Sequence, residues 1–198
     1  GAVLALEHFR NDEKLFLFGQ EKKITLELNK YDINKDIIEI IDCSEVIEMG
    51  EHPTKAFKNK IDSSIYKGFE YLAMNKIDTF ASAGNTGAMF IGGYYTVKPI
   101  RGVIRPSIAT VLPKLNGGVS VLLDVGANAD CKADVLYQFG VLGSLYAQNV
   151  YNIKDPKVSL LNLGEEKTKG NMLTQTAYGL MHGSNDYNFI GNIEANNI

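Results

Sequence analysis

Residues 82–87, Ser-Ala-Gly-Asn-Thr-Gly, set three hydrogen-bonding side chains and two glycines into a stretch that carries no charge from Thr79 to Val97. That combination suits an anion. Gly84 and Gly87 allow close approach to the backbone, while Ser82, Asn85 and Thr86 offer side-chain hydrogen bonds. Backbone N–H groups gather where the next helix begins. A capped helix with glycines for packing would use the same residue types, but a cap needs only one small polar residue and this loop has several. The spacing is G-x-x-G, not the dinucleotide fingerprint, and about 20 residues on, where that fingerprint expects an acid, stands Arg105. The Gly-Lys-Ser/Thr of a P-loop is absent as well.

Two further turns hold suitable side chains. In Asp-Val-Gly-Ala-Asn-Ala-Asp-Cys, residues 124–131, Asp124, Asn128 and Asp130 crowd together around a bare backbone at Gly126 and Ala127. The calcium-loop pattern is missing, so no metal is expected there. Cys131 has no histidine near it in sequence and reads as a small buried thiol. In Asn-Leu-Gly-Glu-Glu-Lys-Thr-Lys-Gly-Asn, residues 162–171, Lys167 and Lys169 stand at the start of a helix, where the macrodipole disfavours cations. A bound anion would resolve that conflict, and pairing with Glu165 or Glu166 would do so too. Arg105, with its planar fork, is a further cation suited to phosphate or carboxylate. The acidic stretch 45–56 reads as an irregular loop in which His52 is structural. The inventory favours holding a phosphate and polarising a carbonyl over forming a covalent enzyme intermediate.

Such turns must be positioned by elements whose ends meet. Apolar runs of strand length occur at 14–19, 37–42, 78–82, 107–112, 119–124, 157–164 and 188–191. Helical patterns lie at 63–76, 85–97 and 170–183, and from Asp134 to Tyr151. The alternation implies an α/β domain over residues 1–198 with a mostly parallel sheet covered on both faces. Ligands then bind at the carboxyl ends of the strands. The uncharged run 135–153 predicts a helix buried on nearly all sides, either partly against a second copy of the chain or as a core helix under the sheet of its own chain. The sequence opens on a helix with no strand before it and closes on a strand with no helix over it, so a fragment of a longer protein is expected.

With a net charge of −3 and no cluster of basic residues among aromatics, the chain offers no field for nucleic acid. Cys43 and Cys131 stand apart, without ligand spacing, which fits a reducing cytoplasm and neither a zinc site nor a disulfide framework. No cofactor motif is present. The uncharged stretches are interrupted by Gly, Asn, Gln and Ser and read as buried helices, not membrane spans.

The blocks EVIEMGEHP…KIDSSI, SAGNTGA, GVIRPSIATVLP…GG, LLDVGANADCK…QFGVLGSLYA, LLNLGEEKTKGN and NFIGNIEANNI, in order from about residue 43 to 198, resemble the bacterial PlsX-type phosphate acyltransferases. The resemblance implies a phosphotransacetylase-like three-layer α/β/α fold, related to the isopropylmalate dehydrogenases and usually homodimeric. It implies attack of inorganic phosphate on the thioester of a long-chain acyl-carrier protein, without cofactor or metal, in the cytoplasm and with peripheral contact at the inner face of the membrane. On that reading Ser82, Gly84, Asn85, Thr86 and Gly87 contact phosphate or carbonyl, Lys169 with Asn171 is electrophilic, and Arg105, Asp124 and Asn128 are second choices for substrate contact. Position 167 holds Lys where the family would have an acid, leaving open which lysine faces the substrate. A phosphotransacetylase acting on a coenzyme A thioester and a non-catalytic scaffold of lipid-synthesis enzymes are the alternatives.

Overall fold

The computed structural model describes residues 1–115 and 117–197. Their contacts gather into two compact units, residues 1–98 and 99–198.

In the first unit a short helix α1 (Ala2–Ala5) and a 3-10 turn (Leu6–His8) lead to β1 (Leu15–Gly19), α2 (Glu21–Leu28) and β2 (Ile38–Asp42). The strands pair in parallel, Leu15 opposite Ile38 through Gly19 opposite Asp42. Three helices follow, α3 (Pro53–Asn59), α4 (Ser64–Ala73) and α5 (Thr86–Gly92), the last running on into a π turn over Gly93–Val97. The helix α4 begins where Ser63 Oγ accepts from the Tyr66 amide and buries Ile65, Gly68 and Phe69 on one face. Ile47, Ala56, Phe57, Ile65, Phe69 and Ala88 form the core of the unit.

Proline at the first position of α3 supplies a fixed φ where no amide donor is needed, so part of the expected acidic loop is helical. The segment 78–82, expected as a strand, is irregular. Its aromatic residue is turned to another use: Phe80 lies edge-on to Phe69 and Phe18, with centroids 5.2 and 5.8 Å away. A Cβ on Gly68 would sit 2.2 Å from the Phe80 ring, so helix and ring meet only because that residue is glycine.

The second unit contains β3 (Ala109–Pro113), β4 (Val119–Leu123), α6 (Ala133–Tyr151), β5 (Lys157–Leu161), α7 (Met172–His182) and β6 (Asn188–Ile193). The short connection between β3 and β4 makes them an antiparallel pair, Ala109 opposite Leu123, an exception to the mostly parallel pairing expected. The strands β5 and β6 are parallel, with a register slip at Val158/Ser159. Leu160, Ala177, Met181 and Tyr187 form the core, and Gly140 of α6 lets the Tyr187 ring approach within 2.7 Å of where a Cβ would stand. The fold class is therefore mixed α/β, with two parallel strand pairs and one antiparallel pair among the described residues.

The long helix α6 is less enclosed than its composition predicts. Val135, Phe139, Gly140, Ser144 and Ala147 are buried, whereas Leu145, Tyr146 and Val150 are 49, 40 and 50 % exposed. No helix among the described residues is long and apolar enough to cross a membrane.

Candidate active site

The 82–87 loop is built around one buried amide. Asn85, 5 % exposed, caps α5 by accepting from the Ala88 amide at 2.9 Å. Its Nδ2 donates towards the carbonyls of Glu48, Met49 and Glu51 at 3.1, 3.2 and 3.3 Å. The side chain expected to touch substrate thus ties the loop to residues 48–51 and holds the helix start in place. Ser82 Oγ accepts from the Gly84 amide at 3.0 Å and tightens the turn. Within the described residues the amides of Asn85, Thr86 and Gly87 make no hydrogen bond, and Ser82 and Thr86 are exposed.

Gly87 has a packing reason to be glycine. A Cβ there would meet the Pro53 ring at 2.8 Å, and one turn further along both helices a Cβ on Gly92 would meet Phe57 at 2.9 Å. Helices α3 and α5 therefore run parallel, side by side, with their N-termini level. The amides of Thr54 and Lys55 are likewise unbonded within the described residues. The two positive helix ends reinforce each other on one side of the unit. Lys60 braces this arrangement, donating to Val46 O at 2.6 Å and pairing with Glu51 at 2.7 Å. It was not singled out in the sequence, where a lysine near a helix end looks like any solvated charge. A cavity of about 890 Å³ elsewhere in the unit, lined by Val3, Leu6, Leu17, Ile24, Leu28 and Tyr31 among others, shares no residue with the loop.

In the second unit Asp124 and Asn128 brace two loops against each other. Asp124 accepts from the Ile108 amide at 2.7 Å and the Asn128 amide at 2.7 Å. Asn128 Nδ2 donates to Pro106 O at 2.9 Å and to Asp124 at 3.0 Å. Arg105 is anchored through one guanidinium nitrogen to Asp130 O at 2.8 Å and is otherwise exposed. Burial and, next, the Asp124 charge push the Cys131 thiol up, against the pull of Arg105, which opposes a nucleophilic role.

The 162–171 loop presents its cations on a short turn. The Lys169 amide donates to Glu166 O at 3.0 Å, while Lys169 Nζ lies 3.8 Å from Glu166 Oε1 with half its side chain exposed. Such an exposed pair is weak enough to be exchanged for a ligand. Lys167 is exposed within the turn. Gly170 follows at φ +86°, where a Cβ would lie 2.0 Å from Thr174 Oγ1 and 2.5 Å from Asn162 Oδ1. Asn171 caps α7, its Oδ1 accepting from the Thr174 amide at 3.0 Å, which leaves its exposed Nδ2 as a donor. Asn162, Gln175 and Asn192, which the sequence did not mark, hold the turn from behind. Their only signal was position, at strand ends and one turn into a helix.

A family model described as "Fatty acid synthesis protein" matches residues 1–198. The chain belongs to the PlsX-type phosphate acyltransferase family. It is 45% identical over 198 residues to a phosphate acyltransferase of Dictyoglomus thermophilum, covering all of this chain and 58% of that one. A phosphate acyltransferase of Halothermothrix orenii is 44% identical over 199 residues, with 100% and 59% covered. One from Staphylococcus aureus (strain Newman) is 46% identical over 191 residues, with 96% and 56% covered. The chain thus spans somewhat over half the length of these family members. Among solved structures, a phosphotransacetylase from Streptococcus pyogenes superposes with a TM-score of 0.70 at 19% identity, covering 98% of this chain and 63% of that one. The EutD phosphotransacetylase from Staphylococcus aureus gives 0.63 at 16% identity, with 98% and 64% covered. At such identities these neighbours speak for the fold, and the fold expected from the sequence is the one they share.

Proposed function

We propose that the full-length protein transfers a long-chain acyl group from acyl-carrier protein to inorganic phosphate. The observation that carries this reading is the uncharged 82–87 loop, whose unbonded amides at Asn85, Thr86 and Gly87 stand beside a second helix N-terminus. An anion of modest size is what such a loop receives. The thioester supplies the other half of the reaction. A phosphate oxygen attacks the carbonyl carbon, the carbonyl oxygen takes up the charge of the tetrahedral intermediate, and collapse expels the carrier thiolate, which gains a proton. Acyl phosphate and free carrier are the products.

We assign phosphate to Ser82, Gly84, Thr86 and Gly87, with Asn85 positioning them. Lys169 stabilises the developing oxyanion, helped by the free Asn171 amide donor. Phosphate is nucleophilic at neutral pH, so the mechanism needs no activated base and rests on placement and charge. Arg105 keeps guanidinium nitrogens free for an anionic substrate group, while Asp124 and Asn128 fix the loop that carries it. The full-length protein acts as a homodimer in the cytoplasm, a state for which the exposed apolar residues of α6 offer a surface.

The test is direct. Full-length protein is incubated with inorganic phosphate and either a long-chain acyl-carrier protein or the matching coenzyme A thioester, and acyl phosphate is measured. Turnover with the carrier is expected. Turnover with coenzyme A alone would convert the reading into phosphotransacetylation, and none with either would leave a scaffold.

A further inference from the structure

Four carbonyls of the lysine turn accept hydrogen bonds from side-chain amides. Glu166 O accepts from Asn192 Nδ2 at 2.9 Å in addition to the turn's own Lys169 amide. Thr168 O and Gly170 O accept from Gln175 Nε2 at 2.7 and 3.2 Å, and Lys169 O accepts from Asn162 Nδ2 at 3.1 Å. Three side-chain amides, from β6, α7 and the end of β5, therefore cover the negative ends of the peptide dipoles around Lys169.

Asn192 differs from the other two. It lies on β6 opposite Leu160, and its Oδ1 is buried without a partner among the described residues. Unpaired buried acceptors are rare because they cost stability. Glu166 O, by contrast, would keep the Lys169 amide if Asn192 were lost, so the donated bond is not needed to satisfy that carbonyl. A residue that leaves one polar atom stranded in order to make a bond its partner can do without is poorly explained by folding alone.

We infer that Asn192 is a positioning residue for Lys169: it fixes the Glu166 end of the turn so that the Lys169 ammonium is held ready for the substrate oxyanion, at the expense of local stability. The inference rests on the electrophilic role proposed for Lys169. Asn162, which holds the other end of the turn at the Lys169 carbonyl, is its counterpart just past the end of β5.

The experiment is a double-mutant cycle in the full-length protein, with Asn192→Leu and Lys169→Ala made singly and together. Asn192→Leu is close in shape, removes the stranded oxygen and removes the donor. Its melting temperature should equal or exceed that of the parent, while kcat falls about tenfold and the KM for acyl-carrier protein changes little. In the Lys169→Ala background the same change should lower kcat no further, because the group it positions is gone. Asn192→Ala is run alongside so that a clash of leucine with its neighbours cannot mislead. Parental kcat in a folded Asn192 variant, additive losses in the cycle, or a clear drop in melting temperature for both variants would each overturn the inference while leaving Lys169 as the electrophile. Parental turnover in Lys169→Ala would overturn the assignment of Lys169 itself and this inference with it.

Discussion

Asn85 shows how one side chain can hold a candidate binding loop together through its own hydrogen bonds. Its oxygen caps α5 and its nitrogen reaches three carbonyls of residues 48–51. Asn85→Ala removes a cap worth ~1 kcal/mol and takes two N–H donors from carbonyls that are only partly buried, at about 0.5–1.5 kcal/mol per bond. A loss of about 2–4 kcal/mol is expected by urea denaturation. Asn85→Asp should be no better, since it keeps the cap acceptor but sets a carboxylate against the same carbonyls. In whatever fraction remains folded, the phosphate concentration for half-maximal rate should rise. For Lys169 the expectation is different in kind: alanine should leave the urea midpoint nearly unchanged, because the pair with Glu166 is long and exposed. Turnover should drop on the order of 10²-fold. Lys167→Ala should have the smaller effect on rate, and the reverse order in steady-state kinetics would reassign the electrophile.

At the scale of elements, the junction between β2 and α4 carries a charge clamp with a pH signature. Asp62 bonds Lys67 and the Ser44 hydroxyl, and it accepts from the Ser44 amide at 2.8 Å. The Lys67 ammonium, followed by the Ser44 donors, holds the Asp62 carboxyl well below the usual carboxylate range. Its folded pKa is depressed, so the stabilisation is fully present above the unfolded carboxylate value of 3.8. It is lost as pH falls from there through the folded value. Melting temperatures measured from pH 6 down to pH 2 should therefore fall less steeply in Asp62→Asn than in the parent. Parallel curves would show that the clamp contributes nothing.

The same scale shows what sequence could and could not reveal. The helices α4 and α7 were legible because period and cap agree, with Ser63 and Asn171 serving as their N-caps, and α6 by its long apolar period alone, since Lys132 at its N-cap makes no side-chain cap bond. The segment 78–82 has strand composition, yet Phe80 is drawn into the helix core beside Gly68, and no residue spacing announces that. Antiparallel pairing of β3 with β4 was implicit in their short connection, which excludes a crossover helix. In the candidate site, the loop residues stood out by type. The amides that hold them, Asn162, Gln175 and Asn192, did not, because a second layer of positioning depends on contacts between distant segments.

For the whole molecule, the decisive surface is α6. Its uncharged C-terminal half leaves Leu145, Tyr146 and Val150 between 40 and 50 % exposed while Ser144 and Ala147 on the opposite side are buried. A stable interface removes on the order of 1,200 Å² or more from solvent, beyond what three half-exposed side chains supply, so the proposed dimer, if centred here, must include other elements. An aromatic residue at the centre of such a patch is nonetheless where a charge does most harm, because the ammonium would be desolvated without a partner. Tyr146→Lys in the full-length protein should keep the parent melting temperature at concentrations where both are monomeric, since the side chain is already in contact with water in the single chain. Its dimer dissociation constant should rise on the order of 10–100-fold, measured by sedimentation over a dilution series. An exposed position in the other unit, Lys22→Glu on α2, serves as the charge control and should leave dimerisation unchanged. A folded Tyr146→Lys protein that dimerises as tightly as the parent would move the interface off α6, and the exposed apolar residues there would need another partner.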